Sequence, residues 1–147
     1  MAGENEYLRI GFGGAAFLLP GRASLAVEQR ENLLVNEGGG AVSAWRAAGK
    51  DRWPAFCLDR NLQLLSGGGW QWAVFLQFDP HPVGLVADEV QLLPGSEVLV
   101  ESFTPPGTAP TRKGHLFCGA SVGGGQVLFE FDPNVLAALL YQLEATQ

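Results

Sequence analysis

Apolar positions along the chain fall in short runs separated by glycines, prolines and charged residues. In QVLFEFD the side chains of Val127, Phe129 and Phe131 share one face, the period of two that a half-buried strand requires. Comparable strand-length runs occur at residues 7–12, 15–19, 41–45, 53–58, 70–78, 83–90, 97–101 and 127–131. Gly13-Gly14, between YLRIGF and AAFLLP, predicts a hairpin turn, because both turn positions can take positive φ. DPHP at 79–82 predicts a tight turn between two central strands. Gly-Gly-Gly runs at 38–40, 67–69 and 123–125 have unlike flanks and read as turns rather than a repeat. Short strands punctuated by glycine and proline predict a mainly β domain, a closed barrel or a sandwich.

One helix stands out. DPNVLAALLYQLEA starts with Asp132 as N-cap and Pro133 at the first helical position. Val135, Leu136, Leu139, Leu140 and Leu143 then form a stripe that should lie on the β structure. A shorter helical turn is expected over residues 59–65, with Asp59 near its start. Residues 22–35 fit either a strand followed by a loop or a helix. The proline-rich segment 103–114 reads as a long loop.

Composition narrows the function classes. The 147 residues suffice for one compact domain or two small, intimately joined subdomains. Charged residues make up 16%, against about 25% in a typical globular chain. A surface so poor in charge suits a binding protein, although small core-rich β proteins share the trait. The net charge is −6 and the nine basic residues are scattered, which argues against non-specific nucleic-acid binding. MAGENEYLRI lacks the basic and apolar regions of a signal peptide, and no run approaches the ~20 apolar residues of a membrane span. A soluble, cytoplasmic protein is expected. Cys57 and Cys118 sit in apolar stretches and read as small core residues in a reducing compartment, with a single disulfide left open.

Catalytic chemistry finds little support. His81 lies between two prolines in a turn, where a solvated histidine is expected. His115 and Cys118 have H-x-x-C spacing, but a structural zinc site needs four ligands, here only with Cys57 and His81, and no CxxC knuckle exists. Ser43, Ser66 and Ser121 have no histidine near them in sequence, and no G-x-S-x-G elbow is present. GASVGGG at 119–125 lacks the Lys-Ser/Thr of a phosphate loop and reads as turn glycine. Asp88 and Glu89 are adjacent on a strand-like run, so they point to opposite faces and cannot act on one substrate atom. The plainer expectation is that Asp88 accepts backbone N–H bonds where the strand bends and Glu89 faces water.

The aromatics carry more information. Trp45, Trp53, Trp70 and Trp72 fall in the middle third, with Trp70 and Trp72 on one face of a strand. They suit core packing or an interface, since Trp and Arg are enriched at binding hot spots. Arg46, beside Trp45, is either a solvated edge charge or a partner contact.

The order of elements resembles CheW-like domains, the adaptors of bacterial chemosensory systems. WAVFLQFDPHPVGLVADEV is similar to the family's strand–turn–strand ending in V-G-(I/L)-(L/V)-V-D-x-V, through Val83, Gly84, Leu85, Val86, Asp88 and Val90. WPAFCLD resembles a second family segment through Pro54 and Asp59, and AVSAWRAAG a weakened G-(V/I)-x-N-L-R-G in which Arg46 matches the arginine. YLRIGFGGAAFLLP and GHLFCGASVGGGQVLFEFDPNVL are similar to the opening hairpin and to the closing strand pair and helix. Ala87 stands where the family has Val, and the glycine of the arginine phrase is displaced to Gly49 or lost. The resemblance spans residues 6–142, with 1–5 and 143–147 as flexible termini. It implies two small five-stranded SH3-like barrels packed together, dividing near 66–70, with a C-terminal helix. It implies no cofactor, metal or catalysis. It implies a scaffold that couples the cytoplasmic tips of chemoreceptors to a CheA-type histidine kinase, soluble and recruited to receptor arrays. The resemblance implies that the receptor groove lies near the matching Arg46, and Trp45 beside it is read, from its place in this sequence, as an adjacent anchor. The competing expectation is a diverged β-barrel that binds a small ligand with Trp70 and Trp72. A third is an enzyme or metal protein using His115, Cys118 and Asp88.

Overall fold

The computed structural model of the chain describes residues 6–103, 115–123 and 125–145. Two antiparallel-rich sheets dominate. The first holds β1 (Glu6–Phe12), β2 (Ala15–Pro20), β9 (Glu89–Pro94), β10 (Glu101–Ser102), β11 (Phe117–Gly123) and β12 (Gln126–Phe131) in the order β10-β11-β12-β2-β1-β9. The second holds β3 (Ser24–Gln29), β4 (Leu34–Val35), β5 (Val42–Ala48), β6 (Asp51–Phe56), β7 (Trp72–Leu76) and β8 (Val83–Ala87) in the order β3-β7-β8-β6-β5-β4. Each has five substantial strands; the sixth, β10 or β4, is two residues long.

The two sheets share one topology. Each has two antiparallel hairpins joined by a single parallel pair, β12 with β2 and β6 with β8. Taken in the order β9, β10, β11, β12, β1, β2, the first sheet repeats the second from β3 to β8. The N-terminal hairpin therefore completes a sheet whose other strands come from the far end of the chain. The sheets divide as residues 6–20 with 89–131, and 24–87. Residues 66–70, the division expected from sequence, lie in the β6–β7 connection of the second sheet.

The core explains why β8 is a continuous apolar run. Val83, Leu85 and Ala87 enter the main core, while Val86 faces the second core with Phe75, Ala55, Cys57 and Trp70. A strand covered on both faces has no polar alternation. In the first sheet Phe12, Phe117 and Phe131 cluster around Phe17, with centroids 5.1, 5.7 and 4.9 Å from its ring. Gly13 takes φ 61° at the β1–β2 tip, and a Cβ there would come within 2.6 Å of the Arg60 nitrogen. Glycine thus allows both the turn and the close approach of the two sheets.

Helix α1 (Pro133–Ala145) leaves β12 and packs on β6 and β8, so it ties one sheet to the other. Oδ1 of Asp132 accepts the N–H of Asn134 at 3.0 Å and that of Val135 at 3.4 Å, as expected of an N-cap. Val135, Leu136, Ala137 and Leu140 are buried, and Leu143 packs against the same core. The helix runs past residue 142 to Ala145.

Other expectations change. Residues 22–35 take the strand alternative and not the helix: the end of a 3-10 turn, β3, a second 3-10 turn and β4. Residues 59–65 are a turn closed by a Leu58–Leu64 bridge rather than helix, because Asp59 Oδ1 accepts the N–H groups of Asn61 and Gln63. Such an Asx-type turn competes with helix propagation. The 83–90 run breaks at Asp88 into β8 and β9, and residues 98–100 are not strand. Most of the 103–114 loop, residues 104–114, lies outside the described residues.

Candidate partner-binding site

The second sheet carries three arginine–tryptophan stacks. Arg46 and Trp53 are direct cross-strand partners on β5 and β6, and the guanidinium lies 4.8 Å from the indole centroid. Arg52 covers Trp45 at 5.6 Å, and Arg30 covers Trp70 at 4.4 Å. Arg30 also donates to the carbonyls of Gly68 (3.1 Å) and Trp70 (3.0 Å), which fixes the 67–69 glycine turn.

Arg46 is neither a solvated edge charge nor free. Its Nε meets Oε2 of Glu28 on β3 at 2.6 Å, with both side chains about a quarter exposed (29% and 26%). Sequence reasoning missed Glu28 because it sits in the ambiguous 22–35 segment. The two residues lie on one wall of a groove of about 460 Å³ between the sheets. Edge strands β3 and β9 flank it, and Leu8, Ala26, Val27, Trp72, Val90 and Leu92 supply apolar surface. Val27 and Leu92 are exposed. Trp45 is half-buried and packs on the main core from the other face of β5.

A second apolar surface lies at one end of the first sheet. Val122 and Val127 are cross-strand partners on β11 and β12, and Phe129 follows on the same face. With Leu99 and Phe103 they form a group of exposed hydrophobics, Val122 and Leu99 being three-quarters exposed. The shared topology places the Val122–Val127 pair where the second sheet has Arg46–Trp53, each two steps beyond the corresponding pair Ala120–Phe129 or Ala44–Ala55.

The remaining sequence candidates are dispersed. Pro54 is buried on β6 opposite Trp45. Gly84 sits on β8 against the Phe75 ring, which a Cβ would meet at 2.7 Å. Asp59 organises its turn, and Val90 packs on the main core. Asp88 and Glu89 are both exposed; the Asp88 N–H donates to the Gly11 carbonyl at 2.8 Å, where the chain passes between sheets. Trp70 is buried in the second core and precedes β7, whereas Trp72 opens β7 and lines the groove, so the two do not share a strand face.

Reactive groups are held quiet. Cys57 and Cys118 are free thiols in different sheets' surroundings. Burial raises both, with nearby carboxylates adding to it, and Cys118 is pushed up to about 11. Among the described residues no three His, Cys, Asp or Glu side chains gather in a metal-binding group. His81 is not freely solvated; it pairs with Glu144 on α1 at 2.9 Å. Glu130 on β12 is buried, and desolvation raises its carboxyl above the ordinary 4.5. No helix among the described residues is long and apolar enough to cross a membrane.

No family model matches the chain. No curated protein matches it in sequence. Among solved structures it is similar to the scaffolding protein TtCheW from Thermoanaerobacter tengcongensis, with TM-score 0.63 and 12% identity over 89% of this chain and 90% of that one. Two mainly β sheets of matching arrangement with a C-terminal helix, at so low an identity, give the chain a CheW-like fold that has diverged in sequence.

Proposed function

We propose that the protein is a non-catalytic adaptor of a bacterial chemosensory pathway, joining chemoreceptor tips to a CheA-type histidine kinase in the cytoplasm. The groove between β3 and β9, apolar with the Arg46–Glu28 pair on its wall, carries this reading. The fold's likeness to a scaffolding protein supports it. Arg46 is the residue that matches the family's arginine phrase, and the groove is the receptor-facing surface. Trp45 serves as its neighbour on β5 by holding that strand on the core. The exposed end of the first sheet, around Val122, Val127 and Phe129, is a second surface suited to a second partner, the kinase. Two separate surfaces are what an adaptor needs, and hot-spot interfaces favour such aromatic and arginine-rich patches.

Titration calorimetry of the purified protein against a receptor-tip fragment and, separately, a kinase regulatory domain tests it. Binding of both, with the receptor arm weakened by Arg46→Ala and the kinase arm unaffected, is the expected result. Failure to bind either partner would remove the proposal.

A further inference from the structure

Two of the three glycine runs meet at one pocket. Gly39, Gly40, Gly67 and Gly68 line a space of about 540 Å³ in the second sheet, and all four take φ between 76° and 101°. Glycine alone adopts that backbone readily. A Cβ at Gly39, Gly67 or Gly68 would meet nothing within 4 Å, so the main chain there lies open to whatever enters. The turn carbonyls are already occupied. Arg30 Nη1 donates to those of Gly68 and Trp70 at 3.1 and 3.0 Å. Asn36 Nδ2 donates to those of Gly39 and Val42 at 2.8 Å, and Gln71 Nε2 to that of Gly69 at 3.0 Å. The N–H groups of the four pocket glycines have no acceptor among the described residues. Both turns are therefore pinned through their acceptors and keep their donors spare.

Arg30 lines the same pocket. Its guanidinium lies 4.4 Å from the centroid of the buried Trp70 indole and meets no carboxylate among the described residues. Stacking and two carbonyl bonds hold the cation in one place and use only Nη1, which leaves the Nε and Nη2 donors for a bidentate acceptor. Ser43 stands at the β5 bulge between Val42 and Ala44, lines the pocket and is 8% exposed. Its hydroxyl bonds to no described residue and is not sealed in, so its partner must come from the pocket. Glu37, exposed on the rim, opposes negative charge. We propose that this pocket is an oxyanion site that takes a small molecule by a phosphate or carboxylate group. Arg30, the Ser43 hydroxyl and the spare glycine amides hold that group, as fixed donors around a cation do. The site shares no residue with the groove between β3 and β9 or with the surface around Val122.

Amide spectra of the isotope-labelled full chain, titrated at constant ionic strength with inorganic phosphate and separately with acetate, test this. The pocket glycine amides and the Arg30 Nε–H should shift and saturate by about 20 mM, the range of a millimolar site. Saturation by phosphate alone assigns a phosphate group; saturation by both anions assigns an oxyanion in general. Ser43→Ala should weaken binding about tenfold, the loss of one charge-assisted hydrogen bond. Glu37→Gln removes the opposing charge on the rim and should tighten binding about twofold to fivefold. Arg30→Gln should abolish binding, but it also unpins the 67–69 turn, so the other two variants decide. Shifts that stay linear with both anions, or saturable shifts indifferent to both Ser43→Ala and Glu37→Gln, overturn the proposal.

Discussion

Nε of Arg46 on β5 meets Oε2 of Glu28 on β3 at 2.6 Å, although the two residues stand 18 apart in sequence and on strands that do not pair. The contact draws the β3 edge of the second sheet toward β5, next to the opposite edge of the same sheet, and Trp53 caps it from beside. Both side chains keep about a quarter of their surface, so solvent screens the pair. A double-mutant cycle with Arg46→Ala and Glu28→Ala should therefore return a coupling of only about 0.2–1 kcal/mol in urea denaturation. The charge-swapped protein, Glu28→Arg with Arg46→Glu, should recover most of the stability lost by Arg46→Glu and still bind the receptor tip poorly. Normal receptor binding by the swap would show that the arginine's place on β5 is irrelevant to recognition.

Gly84 faces Phe75 directly across the β7–β8 ladder. A Cβ at residue 84 would lie 2.7 Å from a ring carbon of Phe75 and 3.1 Å from Cβ of Ala55. All three positions are buried, so neither neighbour can move into solvent. Gly84→Ala should cost about 1–3 kcal/mol by overpacking. Adding Phe75→Leu should recover part of that loss, because the ring is what the methyl strikes. Equal stability of Gly84→Ala and the native protein in guanidinium would contradict the packing described.

The elements that read clearly from sequence are those whose polarity matches their burial. VGLVA is apolar throughout and is covered on both faces; DPNVLAALL has its cap and its stripe where the helix needs them. Strand β3 breaks the rule. Its inward positions are Ser24, Ala26 and Glu28 and its exposed ones Leu25, Val27 and Gln29, so polar and apolar residues are mixed on both faces of an edge that borders a groove. Alternation then gives no usable sign, and Glu28 stayed hidden with it. Strand β11 looked like turn glycine for a different reason. A Cβ at Gly119 would lie 2.6 Å from a Glu130 oxygen, so the glycine answers to a neighbouring strand that local sequence cannot reveal. The Gly84 motif position was visible as a resemblance, but its cause, the Phe75 ring, needed the register.

Val122 is three-quarters exposed and pairs with the half-exposed Val127. Charging such a position costs the fold little, within about 0.5 kcal/mol. Its effect on a partner that covers it is far larger, since an unpaired lysine would be desolvated at the centre of an apolar patch. Val122→Lys should leave the thermal midpoint nearly unchanged and weaken kinase-domain binding at least about tenfold, a loss of about 1.4 kcal/mol. Receptor-tip binding should be unaffected, because the groove lies on β3 and β9. Unchanged kinase affinity would move the kinase surface elsewhere on the molecule.

Glu130 gives a pH dependence whose sign can be worked out. Its carboxyl is buried on β12; desolvation raises it above the ordinary 4.5, Cys118 and Arg22 oppose that, and Asp132 adds to it. A raised acid binds its proton more tightly when folded than when unfolded. Its favourable contribution is therefore full below 4.5 and is lost as pH climbs through the folded value. Above that range the folded state holds a buried charge it would rather not have. Glu130→Gln removes the charge and keeps the shape, so it should raise the thermal midpoint at neutral pH relative to the native protein. The gap between the two proteins should close as the pH is lowered below 4.5, where the native glutamic acid is protonated in both states. Paired melting curves across that range decide the matter: a gap that widens on acidification would mean that Glu130 is held ionised by a partner and that burial is not what governs it.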